Sequence, residues 1–180
     1  MAQFFPPVEV TIYSLTKMIM KTALVLALAA ISWGFSSPLT VTSSAFEANQ
    51  MIPAKYTCTG ENISPPITIG GIPEGTQSLA LIMDDPDAPN GDFVHWVMWN
   101  IPVNTLIPED FAPGSQGLNG AKENKYTGPC PPSGTHHYHF KVYALNSKLD
   151  LPANTDKEAL LKAMEGHVLS SGELVALFKK

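Results

Sequence analysis

Residues 79–101 read LALIMDDPDAPNGDFVHWVMWNI. Leu79 to Met83 is an apolar run of strand length. Phe93 to Ile101, with Trp96, Trp99 and β-branched neighbours, reads as a second strand. Between the two runs lie Pro86, Pro89, Gly91 and four aspartates, Asp84, Asp85, Asp87 and Asp92. The prolines fix φ and bias Asp85 and Ala88 toward extended backbone, so the connection should be stiff. Ionisable groups on a stiff loop between two buried strands, with His95 just inside the second, are held in defined places. The ordinary reading stands beside this one, because Asp, Asn, Pro and Gly also make plain solvated turns.

Working outward, His136-His-Tyr-His-Phe-Lys-Val-Tyr-Ala-Leu145 is a third strong strand. Its period of two puts His136, Tyr138 and Phe140 on one face and His137, His139 and Lys141 on the other. His137 and His139 are expected to be exposed or locally satisfied, although any His-x-His can also bind metal weakly. Asp85, Asp87, His95, His136 and Tyr138 could together bind a metal, run acid–base chemistry or hold a charged small ligand. Leu39 to Phe46 should start the sheet, Ile67 to Ile69 is a short strand, and 70–75 is a turn. The stretch from Pro102 to Pro132 is long enough to be either functional or locally structured. Asp156 to about Leu169 has helical spacing, with Leu160, Leu161, Met164 and Val168 on one side and Thr155 as N-cap. Glu173 to Phe178 reads as a short closing strand. The fold class is therefore mainly β, a sandwich with a late C-terminal helix.

Composition narrows the function. The chain has 180 residues, 44% hydrophobic and 15% charged, with 16 prolines and 13 glycines. The formal charge is -5 and all eleven basic residues are lysine. That gives no basic footprint for nucleic acid. Without arginine there is no bidentate fork for phosphate or carboxylate, so an anion site must use lysine, histidine or backbone N–H groups. Near the start, Lys21 precedes an uncharged apolar run from Thr22 to about Phe35, followed by small residues. This is the layout of a secretory signal peptide, with cleavage near Ser36. It predicts export across an inner membrane to the periplasm, with Met18 or Met20 as an alternative start. The run falls short of the roughly 20 residues of a membrane span, so residues 37–180 are expected to form one domain without a transmembrane segment.

Several ordered motifs carry a more specific resemblance. Asp85-Pro-Asp-Ala-Pro89, His95-Trp96, Asn100-Ile-Pro102, Gly128-Pro-Cys-Pro-Pro132 and His136-His-Tyr138 resemble the phosphatidylethanolamine-binding protein family. Together with Cys58-Thr-Gly-Glu-Asn-Ile-Ser-Pro-Pro66, they are similar to its bacterial Raf-kinase-inhibitor-like branch, over essentially all of 38–180. The resemblance implies a β-sandwich with an anion pocket at one end, lined by Asp85, Asp87, His95, Pro131, His136 and Tyr138. Where the family commonly has His-Arg-Tyr, this chain has His136-His137-Tyr138, which implies the loss of a supporting salt bridge. The longer C-terminal tail of eukaryotic members is lacking, so their kinase-regulating role is not carried over.

The chemistry of such a pocket fits binding better than turnover. Two ionised aspartates would repel phosphate unless one is protonated or is used to charge a histidine. No Gly-x-Ser-x-Gly or His-Glu-x-x-His motif occurs. A Cys130–His136 nucleophile pair is one use of the cysteine. In an exported chain with two cysteines, a Cys58–Cys130 disulfide is the other. The expectation is a non-catalytic protein without cofactor. It would bind a small anionic or zwitterionic ligand, phosphate or phosphoethanolamine-like, or display the pocket to a protein partner. The alternatives are an Asp/His hydrolase or metal-dependent enzyme, and an inhibitor-type interaction module acting through 102–132. A monomer and a homodimer are both compatible with the sequence.

Overall fold

The structure is a computed structural model that describes residues 38–180 except position 105. The expected export signal and alternative starts lie outside the described residues. Among the described residues the strands are β1 (Thr40–Thr42), β2 (Ile67–Gly70), β3 (Ser78–Asp85), β4 (Phe93–Ile101), β5 (Leu106–Ile107), β6 (Ser115–Gln116), β7 (Thr135–Leu145) and β8 (Val168–Lys179), with one α-helix, α1 (Lys157–Met164). A 3-10 turn covers Ala54–Tyr56. Two antiparallel sheets form, in the orders β1-β2-β5 and β6-β4-β3-β7-β8.

Every residue of β3 is buried, which explains why its sequence is an unbroken apolar run rather than an alternation. Leu79, Leu81 and Met83 face the core between the sheets, with Val41, Ile67, Ile107 and Phe140. Ala80 and Ile82 face the other way and pack with Val97, Trp99, Leu160 and Met164 beneath α1. The layers are thus small sheet, large sheet and helix. Each fully buried large side chain contributes roughly 1.5–3 kcal/mol.

The same alternation separates two neighbouring acids. Asp84 and Asp85 belong to β3, not to the connection after it, and both are buried. Asp84 points to the outer layer, where Lys141 Nζ lies 2.8 Å and Lys157 Nζ 2.6 Å from its carboxylate. Asp85 points to the inner side, toward His136.

β4 is irregular at the residue that matters most. Met83 pairs with Trp96, but Asp84 pairs with Val94, so His95 is an extra residue without a partner on β3. A bulge of this kind re-aims a side chain. Consecutive His95 and Trp96 both reach the inner side, His95 against Tyr138 and Trp96 in the inter-sheet core.

Three sequence expectations are corrected. The helix stops at Met164 instead of running to Leu169, because Gly166 takes φ +77°, and the chain turns into β8. Its N-cap is Asp156, whose carboxylate accepts the Ala159 N–H at 3.0 Å. Thr155 is buried and donates its hydroxyl to the Pro152 carbonyl instead. The closing strand is long: β8 spans twelve residues and pairs along all of β7, from Thr135↔Lys179 to Leu145↔Val168. The 102–132 stretch is locally structured, with β5 extending the small sheet and β6 the large one.

Candidate ligand-binding site

A cavity of about 300 Å³ opens where β3 ends, β4 and β7 begin, and the 127–132 loop crosses. This is at the lower edge of ordinary small-molecule sites. Asp85, His95, Pro131 and His136 are in its wall, joined by residues 88–92, Phe93, Thr127, Gly128, Cys130 and Pro132. Of the six residues expected to form the site, these first four line it.

The two histidines are each fixed through one ring nitrogen. His95, 4% exposed, has Nδ1 2.6 Å from the Thr127 carbonyl. A carbonyl only accepts, so Nδ1 carries the proton and Nε2 remains for a ligand. Burial lowers the His95 imidazole below its ordinary value, against the pull of the Thr127 carbonyl and the Asp85 carboxylate. His136, also buried, donates Nδ1–H to Asp85 Oδ2 at 2.7 Å. The other oxygen of Asp85 accepts the Asp87 N–H at 2.9 Å. Asp85 is therefore an orienting group with both oxygens engaged.

Tyr138 lies behind this wall. Its ring meets His95 edge-on at 5.2 Å and stacks on His136 at 6.5 Å. It is fully buried, and its hydroxyl has no hydrogen-bond partner among the described residues. Burial first, and then the adjacent Asp85 charge, raises its pKa well above the usual tyrosine value, so it is a neutral donor at any physiological pH.

Asp87 is not in the cavity wall. Its carboxylate turns outward and accepts both the N–H and Nδ1–H of His137, at 2.8 and 2.7 Å. These two bonds hold its carboxyl below the usual range. The position where arginine is common thus still supplies a hydrogen-bonding partner to the loop. His139 is likewise satisfied, by Glu173 at 2.8 Å.

The loop forming the far wall is built to a tight fit. Asn119 ties it together, donating to the Lys125 carbonyl and the Thr127 hydroxyl and accepting the N–H groups of Ala121 and Glu123. Gly128 donates to Asn62 Oδ1 at 2.8 Å, and a Cβ there would stand 2.4 Å from that oxygen and 2.7 Å from the Tyr56 carbonyl. Cys130 is bonded to Cys58, with Cα atoms 5.4 Å apart. This removes the Cys130 thiol as a nucleophile and pins the 127–132 wall to the 3-10 turn region.

Sequence reasoning missed Asp92, Phe93 and Thr127 as wall residues. Phe93 and Asp92 flank the start of β4, which a strand-edge argument could have found. Thr127 acts through its carbonyl, which no residue type signals. Among the described residues, no three His, Cys, Asp or Glu side chains are grouped to hold a metal ion. No described helix is long and apolar enough to cross a membrane.

A sequence model of the phosphatidylethanolamine-binding protein family matches residues 42–179. A UPF0098 protein of Pyrococcus horikoshii is 44% identical over 178 residues, covering 93% of this chain and 90% of its own. One from Methanothermobacter thermautotrophicus is 46% identical over 144 residues, covering 76% and 95%. The crystal structure of a Chlamydia trachomatis protein, described as a phosphatidylethanolamine-binding protein homologue, superimposes with a TM-score of 0.78 at 39% identity, covering 81% of this chain and 99% of that one. Escherichia coli YbcL superimposes with a TM-score of 0.74 at 30% identity, covering 80% and 99%.

Proposed function

Because the chain belongs to the phosphatidylethanolamine-binding protein family, we propose that it is an exported protein whose cavity binds a small phosphate-type anion, free or as a headgroup such as phosphoethanolamine, without turning it over. The observation that carries this reading is the pair His95 and His136. Each is buried in the wall with Nδ1 already committed, which leaves Nε2 for the ligand: bare, it accepts the O–H of a hydrogen phosphate, and with a proton taken up on binding it donates to the anion. Tyr138, directly behind them, holds both rings in place through edge-on contact with His95 and stacking on His136. In a chain without arginine, this is the donor set that an anion can use.

The site offers little for turnover. Asp85 has both oxygens engaged, and Cys130 is in a disulfide. The hydrolase and metal-dependent alternatives are therefore not favoured. Export is supported by the Cys58–Cys130 bridge between two exposed cysteines, which persists in an oxidising compartment such as the periplasm and not in a reducing one. Titration with inorganic phosphate tests the reading: saturable binding at the two histidines is expected, and its absence at millimolar phosphate would overturn it.

A further inference from the structure

Asp92 poses a problem for any anion in this cavity. It lies in the wall, and an ionised carboxylate there would repel phosphate and attract an ammonium group. The structure answers this with a residue from another layer. Lys157, in the first turn of α1 on the outer face of the large sheet, reaches across and donates to Asp92 Oδ2. The same Nζ lies 2.6 Å from Asp84 Oδ2, and the Lys157 side chain is 15% exposed. Asp84 is buried and also bound by Lys141, so Lys157 is held from behind as well as in front. Burial works to lower the Lys157 ammonium, yet the two carboxylates outweigh it and keep it above the ordinary lysine value.

The other lysines in ion pairs among the described residues do not serve the wall. Lys55 pairs with Glu109, Lys125 with Glu123, and Lys141 with Asp84. Resting on the binding function proposed above, we propose that Lys157 is a specificity-determining residue: it neutralises Asp92, so that the cavity prefers a phosphate-type anion and gains nothing from an ammonium group on the ligand. Phosphoethanolamine, which carries both charges, should then bind through its phosphate alone.

The test compares inorganic phosphate with phosphoethanolamine by calorimetric titration of the full chain. Lys157→Met unmasks Asp92, so phosphate should weaken about tenfold relative to phosphoethanolamine, as expected for one uncompensated charge near the site at intermediate dielectric. Adding Asp92→Asn to Lys157→Met should restore the wild-type ratio. A general loosening of the structure would weaken both ligands together and leave their ratio unmoved, which would overturn the proposal. Asp92→Asn alone supplies an arm that does not depend on Lys157→Met folding. Removing that carboxylate leaves the Lys157 charge uncompensated beside the wall, so phosphate should gain on phosphoethanolamine by a factor comparable to the one lost in Lys157→Met; an unmoved ratio would show that neither charge is felt by the ligand and would overturn the proposal. Failure of the wild-type chain to bind phosphate would instead strike the binding function itself.

Discussion

His95 and Thr127 hold each other twice. The imidazole Nδ1–H donates to the Thr127 carbonyl at 2.6 Å, and the Thr127 N–H donates to the His95 carbonyl at 3.0 Å. The bulged end of β4 and the far wall of the cavity are therefore one rigid unit, and the ring can present only Nε2 to a ligand.

This geometry predicts a tautomer and a pH dependence. At pH 7 the His95 ring should be neutral, with Nδ1 protonated and Nε2 bare, readable from its ¹⁵N shifts. Its folded-state pKa is depressed, so its contribution to stability is present above the unfolded value of about 6.5 and is lost as pH falls through the folded value. Comparing unfolding of the wild type and His95→Gln between pH 7 and 5 checks the sign: the wild type should lose more stability than the variant. An Nε2-protonated ring at pH 7 would contradict the account.

Asp85 and Asp87 should separate sharply. Asp85 orients His136 from a buried position, and leaving a buried hydrogen-bonding group without its partner costs about 1–3 kcal/mol. Asp85→Asn should therefore weaken phosphate at least about tenfold. Asp87 pairs with His137 at the exposed surface, where such pairs contribute at most about 1 kcal/mol. Asp87→Ala should change affinity by no more than about fivefold. Calorimetric titration of both variants decides it, and equal losses would place both carboxylates in the site.

The Cys58–Cys130 bridge closes a separation of 72 residues. Chain-entropy arguments put its contribution at roughly 4 kcal/mol. Urea unfolding with and without a dithiol reductant should show a loss of that order. The unreduced chain should also be lighter than the reduced one by two hydrogens; two free thiols in the denatured, unreduced protein would contradict the bridge.

Much of this was legible in the residues. Leu79–Met83 announced a buried strand, and the alternation in 136–141 sorted buried His136, Tyr138 and Phe140 from outward His137, His139 and Lys141. What period two could not reveal was the bulge. The chain gives no local sign that His95 lacks a partner, since a bulge is a property of two strands in register. The same limit applies to Asp87, which shares the motif with Asp85 yet turns outward once β3 ends. Lys157 belongs to a helix whose amphipathic spacing concerns Leu160 and Met164, and its reach to Asp92 depends on how α1 lies on the sheet. The overlong helix came from reading Val168 and Leu169 as helical apolar positions. Gly166 at φ +77° ends that pattern, and the apolar residues beyond it belong to β8.

The central claim is that His95 and His136 bind a phosphate-type anion in one cavity. It is tested most directly by following the histidine ring signals of the full chain by NMR during titration with inorganic phosphate. The account predicts saturable shifts at His95 and His136 with a common midpoint, little change at His139 or His167, and loss of the response in Asp85→Asn. Unmoved His95 and His136 signals at millimolar phosphate, in a folded protein, would contradict it.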